Sequence, residues 1–279
     1  MRRIDHLVLA VRDLDEAAAF YAKLGFQVGA RNRHPWGTEN RLIQFGSSFI
    51  ELITLGADAG MIAPHTPERF SFGAFVRDFL QTREGLAMLV LDSRDAKADA
   101  AAFKRAGLGT SEPFFFERKG QRPDGSQTHV AFTLAFATDG AAPDIGYFVC
   151  QQHYPENFWN PTLQEHPNGA TAIAAVAMRA LEPQAHRAFL AAFTGEAPEA
   201  QSGGGMSFAL ANGRVEVAPF HPTEAHPSAR LQSLTVVVNS LQQQIERMRA
   251  AGIPFDERLD GLVVQPSAAA GVEIVLHEV

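Results

Sequence analysis

A single cysteine, Cys150, stands among 279 residues, which excludes an internal disulfide and a metal site built from thiolates alone. No apolar run approaches the roughly 18 residues of a membrane-spanning helix. The opening Met1-Arg2-Arg3-Ile4-Asp5-His6 leads into a strand-like run without the apolar centre of a signal peptide. Basic residues are too few to outweigh the acidic ones, 24 against 31, and they form no polybasic cluster. With a net charge of −7, neither nucleic acid nor an anionic membrane is an expected partner, and a cytoplasmic location is expected. Also missing are a P-loop, a dinucleotide fingerprint and a Ser-His-Asp set. Gly203-Gly204-Gly205 follows no strand and opens no helix, so it reads as a hinge or turn.

What the sequence does contain is a repeat. Leu7 to Val11 is an apolar run short enough for a strand buried on both faces. Asp13 then offers a helix cap with Glu16 three residues on; Ala17, Phe20, Tyr21 and Leu24 mark one face, and Gly25 supplies a stop. The same order returns at Met88 to Leu91 with Gly107, at Ile173 to Met178 with Pro183 and Gly195, and at Leu234 to Val238 with Ser240, Gln243 and Gly252. Aligning the runs puts His6, Met88, Ala175 and Ser233 in register, at 19, 19, 20 and 19 residues from the terminating glycines.

Strand-like stretches follow each glycine: Leu42 to Phe45 and Phe49 to Leu55, then Val130 to Phe136 and Tyr147 to Gln151. The later copies have Ser207 to Leu210 with Arg214 to Ala218, and Leu262 to Gln265 with Val272 to Leu276. The expected fold is therefore α+β, with four βαβββ modules. A curled mixed sheet with its helix on one face needs a sister module to bury the other. Copies one and two pair as residues 1–165 and copies three and four as residues 166–279, with a seam near Glu165 to Gly169. Two segments stand outside the repeat, Gly56 to Thr82 and Pro113 to Thr128, and are candidate lids.

Ile4-Asp5-His6-Leu7-Val8-Leu9-Ala10-Val11-Arg12-Asp13-Leu14 resembles the opening strand of the vicinal-oxygen-chelate superfamily, which includes glyoxalases, extradiol dioxygenases and bleomycin-resistance proteins. Phe49-Ile50-Glu51-Leu52 resembles the strand that closes its first module. The resemblance implies two paired modules forming a cup around a divalent metal ion (Zn, Ni, Mn or Fe(II)), with His6 and Glu51 as ligands from module one. Module two departs from the pattern at Met88, and its closing strand offers Gln151 or His153. With His153 the set is two histidines and a carboxylate, as in non-haem iron centres. With Gln151 it is closer to a Lewis-acid site for proton transfer. Modules three and four place Ala175, Glu216, Ser233 and Val275 at the matching positions, so a metal is expected only in the N-terminal half.

Around these ligands, His34, Trp36, Thr38 and Asn40 on the loop before the second strand, and Trp159 beyond the last one, are candidate pocket residues. His129 and Tyr154 are candidates for acid/base work, and Cys150 reads as a core residue. The functional expectation is a metal-dependent lyase or isomerase acting on a small molecule with vicinal oxygens. An extradiol-type dioxygenase and a metal-free binding protein of the resistance type are the alternatives. A monomer and a homodimer are both compatible with the sequence.

Overall fold

The structure is a computed structural model that describes residues 1–66, 68–109, 112–121, 127–221 and 228–279. Its first sheet contains β1 (Ile4–Ala10), β2 (Asn32–Arg33), β3 (Thr38–Gln44), β4 (Phe49–Leu55), β5 (Gly85–Asp92), β6 (Phe114–Gln121), β7 (Gln127–Ala137) and β8 (Gly146–Gln152). The second contains β9 (Ala170–Ala180), β10 (Glu199–Ala200), β11 (Met206–Leu210), β12 (Gly213–Pro219), β13 (Arg230–Val238), β14 (Asp256–Arg258), β15 (Gly261–Val264) and β16 (Glu273–Glu278). The helices are α1 (Leu14–Lys23), α2 (Phe72–Thr82), α3 (Ala96–Arg105), α4 (Pro155–Phe158), α5 (Arg187–Thr194) and α6 (Leu241–Ala251). None of the described helices is long and apolar enough to cross a membrane.

The two sheets have the same plan. The first runs β2-β3-β4-β1-β5-β8-β7-β6 and the second β10-β11-β12-β9-β13-β16-β15-β14. Within each module the first strand pairs in parallel with the last, as β1 with β4 and β5 with β8. Modules join through antiparallel first strands, β1 with β5 and β9 with β13. The fold is thus the expected α+β arrangement of four βαβββ units, two to a curled sheet. The four glycines that align after the helices, Gly25, Gly107, Gly195 and Gly252, all have positive φ between 65° and 87°, a conformation that costs other residues a Cβ clash. At the other ends of the helices, the Asp13 carboxylate accepts from the Asp15 and Glu16 N–H groups, and Ser240 Oγ accepts from Gln243 N–H.

Strand alternation divides the core. Leu7, Leu9 and Val11 of the β1 region join the helices and the second sheet in one apolar cluster. Val8, Ala10, Met88, Val90, Phe132 and Phe148 face the concave side and form another. Helix α2 belongs to this second cluster through Phe72, Val76, Phe79 and Leu80, so the segment Gly56 to Thr82 contributes a packed wall of the cup. The segment Pro113 to Thr128 supplies β6 and the start of β7; its residues 122–126 lie outside the described ones.

The halves are tied by polar and aromatic contacts. Asn212 accepts from Ile4 N–H at 2.8 Å and donates to Ile4 O at 2.9 Å, sealing the start of β1. The His186 Nδ1–H donates to Asp139 Oδ2 at 2.6 Å, with both side chains buried. Phe193 on α5 sits among Phe103, Tyr147 and Phe189 with no exposed surface. Truncating it leaves a void between α5 and the first sheet. Phe193→Ala is therefore expected to lower unfolding free energy by about 3–5 kcal/mol, measured by urea titration. A loss under about 1 kcal/mol would show that the halves are not packed as described.

Candidate active site

His6 has the same strand parity as Val8 and Ala10 and therefore enters the cup. Its ring stacks on Phe49, its partner in the parallel β1–β4 ladder, at 4.3 Å between centroids and 12° between planes. Regular alternation would send Asp5 to the opposite face. The β1–β5 ladder shifts register between Ile4 and His6, and at this irregularity Asp5 Oδ1 comes within 2.6 Å of His6 Nδ1. A carboxylate there accepts the Nδ1–H and leaves Nε2 as the working nitrogen. Asp5 Oδ2 accepts a second bond from Gln152 Nε2–H at 2.8 Å.

Glu51 lies across from Val8 in the next strand, and its Oε2 is 3.8 Å from His6 Nε2. That is too far for a hydrogen bond, and it leaves both atoms available to a third group. Asn40 Nδ2–H donates to Glu51 Oε1, which answers part of the cost of burying this carboxylate. Asn40 Nδ2 is also 3.3 Å from His34 Nε2, and His34 Nδ1 is 2.8 Å from Thr38 Oγ1. Trp36 stacks on His34 at 4.5 Å and 12°. Burial holds the His34 imidazole below the ordinary histidine range; the Glu51 charge pulls it up and the Arg118 charge pulls it down.

Of these groups, His6, His34, Asn40 and Glu51 form the polar floor of a cavity of about 410 Å³. Trp36 and the rings of Phe49, Phe72, Phe116, Phe132, Phe148 and Phe158 make most of its wall. Its mouth lies where the two ends of the first sheet curl together, and there Arg118 Nη1–H on β6 donates to Asn32 Oδ1 on β2 at 2.8 Å. Behind Asp5 is a second, more polar cavity of about 870 Å³, lined by Arg2, Arg3, Asp92, Asp99 and Gln152 among others. Asp5 therefore stands between the two.

Of the residues expected from sequence, His6, Glu51, His34, Trp36, Thr38 and Asn40 come together here, Thr38 as the hydrogen-bond partner of His34. Gln151 and His153 do not join them. Phe148 and Cys150 take the cup-facing positions of β8, whereas Gln151 turns to the helix side and accepts from Ala96 N–H at the start of α3. His153 Nε2 is 2.8 Å from Thr133 Oγ1, on the face of β7 opposite Val130 and Phe132. The ladders give the correct correspondence: Val8 pairs with Glu51 as Val90 pairs with Phe148, so Phe148 is the module-two counterpart of Glu51. His129 and Tyr154 also lie away from the cavity lining, His129 donating to Glu117 at 2.8 Å with its ring 4.4 Å from that of Tyr154. Trp159 lines the second cavity and touches Phe49 edge-on. Cys150 is buried, and burial pushes its thiol well above the usual range, against any role as a nucleophile.

Asp5 and Arg118 are the functional-looking groups that sequence reasoning passed over. Asp5 is concealed by the strand irregularity. Arg118 sits two residues after Phe116 in a stretch where alternation was the available signal.

The residues present do not fit a metal shared by two modules. Module two places Met88 and Phe148 where His6 and Glu51 stand in module one, and neither is a ligand for a hard or borderline divalent ion. Among the described residues no three His, Cys, Asp or Glu side chains are grouped so as to hold an ion. In the second sheet Glu216 pairs with Arg214.

A family model described as a glyoxalase-like domain matches residues 4–194. A search of curated proteins finds no match. Among solved structures, a hypothetical protein from Staphylococcus aureus superposes with a TM-score of 0.73 at 10% identity, covering 100% of both chains. A triple mutant of 4-hydroxymandelate synthase from Streptomyces coelicolor gives 0.60 at 13% identity, covering 99% of this chain and 93% of that one. The Mn(II)-bound glyoxalase from Novosphingobium aromaticivorans gives 0.56 at 13% identity, covering 100% and 83%.

Two outcomes are expected. In proton NMR titrations, His34 should titrate below an ordinary histidine; Glu51→Gln should lower its pKa further and Arg118→Gln should raise it. Opposite signs would contradict the electrostatics described. Calorimetric titration with Zn, Ni, Mn or Fe(II) should show no tight one-to-one binding. An equivalent of metal held through dialysis and lost in His6→Ala would overturn the ligand comparison.

Proposed function

The chain belongs to the glyoxalase-like domain family, and from that premise we propose that its first cup is an active site of the isomerase or lyase type, moving a proton on a small oxygen-bearing molecule. The observation that supports this reading is the Asp5–His6–Glu51 set at the floor of a cavity whose wall is mostly aromatic. His6 Nε2 and Glu51 Oε2, 3.8 Å apart, are placed to serve adjacent atoms of one substrate. Glu51 takes a proton from a carbon beside a carbonyl group, and protonated His6 gives one to the carbonyl oxygen. With a hydroxyl on that carbon, the products of that step are a neutral enediol, a protonated Glu51 and a neutral His6; Glu51 then gives its proton to the former carbonyl carbon while His6 takes the proton of the other hydroxyl, which becomes the new carbonyl, and both groups are restored.

Asp5 holds the His6 ring in one orientation and stabilises it when protonated. The polar cavity behind Asp5 gives that pair a route to exchange protons with water while a substrate fills the first cavity. The phenylalanine wall keeps water away from the floor, which strengthens each charge interaction there. No step runs through a metal ion, because the module-two positions are Met88 and Phe148.

Those same two side chains favour a second reading, a metal-free protein that holds a ligand in the cup without changing it. The readings separate by deuterium incorporation. Hydroxyaldehydes, 2-oxo acids and aryl ketones would be incubated with the protein in D2O and followed by NMR. Catalysed exchange beside the carbonyl is expected with at least one, falling about 10²–10⁴-fold in His6→Gln. Exchange that survives intact in both His6→Gln and Glu51→Gln would refute the assignment of the acid/base pair. Binding with no exchange in the unaltered protein would establish the second reading.

A further inference from the structure

We propose that the ligand of the first cup is a small aryl acid, with its ring between the phenylalanine walls and its anionic group held at the mouth by Arg118. This rests on reading that cup as the ligand site, and does not depend on proton transfer there.

Charge decides the orientation. The floor carries Glu51, with Asp5 directly behind His6, so an anionic group placed there would meet like charge. The mouth is different. Arg118 bonds to the neutral Asn32 side chain, and among the described residues it has no carboxylate partner. The nearby carboxylates have other cationic or imidazole partners: Glu117, which also lines the cavity, with His129, and Glu39 with Arg31 and Arg33. A guanidinium facing a neutral amide is suited to receive a carboxylate in a two-pronged contact.

The wall decides the shape. Phe116 and Arg118 are two positions apart on β6 and both line the cavity, with Glu117 between them also reaching its edge. Their spacing along a strand is roughly 7 Å. That suits a ring set against Phe116 and a carboxylate one or two carbons away. Trp36 and Phe132 stand around Phe116 at 4.9 and 5.0 Å between centroids. Such flat, rigid side chains favour a planar partner over a puckered one of similar bulk. The Trp36 indole N–H is buried without an acceptor among the described residues, leaving a donor beside the same wall.

The sequence has two tryptophans, so Trp159→Phe leaves Trp36 as the reporter in the cavity wall. Quenching of its fluorescence would be titrated with 3-phenylpropanoate, its neutral amide 3-phenylpropanamide, and 3-cyclohexylpropanoate. The phenyl acid is expected to bind at least tenfold more tightly than either analogue. In Arg118→Gln the acid should fall to the level of the amide, while Arg118→Lys retains part of the preference. Circular dichroism of each variant checks that the fold is kept. Equal affinity for acid and amide, preference unchanged in Arg118→Gln, or no quenching by any of the three would overturn the proposal. Acid-selective binding without deuterium exchange would refute proton transfer and leave this inference standing; exchange without acid selectivity would do the reverse.

Discussion

The antiparallel ladder between β1 and β5 is the constraint on which the site depends. It joins two modules that would each be an open, half-buried sheet, and it sets their concave faces as one continuous wall. It also contains the irregularity at Asp5 that lets a residue adjacent to His6 bond to its ring. Were this pairing regular, His6 would keep its place in the cup but lose the carboxylate that orients it. Seam and polar floor are therefore one piece of backbone.

Much of the architecture was readable because it rests on local rules repeated four times. Gly25, Gly107, Gly195 and Gly252 mark helix ends for a steric reason, and the strands before them are short apolar runs. His6 and Glu51 stood out because they occupy the ligand positions of the superfamily that their strands resemble, and because a carboxylate between Ile50 and Leu52 needs a partner. Module two was harder. Its closing strand contains several polar residues near its end, and choosing among Gln151 and His153 required the ladder register that only spatial pairing supplies. Phe148 gave no sign of being a counterpart to Glu51, since an aromatic in a buried strand is ordinary. Asp5 was hidden by a departure from alternation, and Arg118 by its position in a long excursion whose strand partner lies further along the chain.

The two modules of the first sheet have unequal duties. Module one holds two neighbouring hydrogen-bonded sets, Asp5 with His6 and His34 with Asn40 and Glu51, 3.8 Å apart between His6 and Glu51. Module two contributes Met88, Phe132, Phe148 and Arg118, and hence the wall and the mouth. Glu51 is tolerable in that setting because Asn40 donates to it, and its charge in turn keeps His34 from being lowered as far as burial alone would take it. The apolar wall and the polar floor are thus mutually dependent: the first strengthens the interactions that make the second bearable.

The Arg118–Asn32 hydrogen bond joins residues 86 positions apart and brings the two outermost strands of the sheet face to face. Outermost strands ordinarily offer unpaired backbone groups to any extended chain that drifts by, and so template aggregation. Here one is only two residues long and the other is turned towards it, with a charged side chain at the meeting point. The mouth of the cup is also the place where the fold is protected against strand addition by its neighbours.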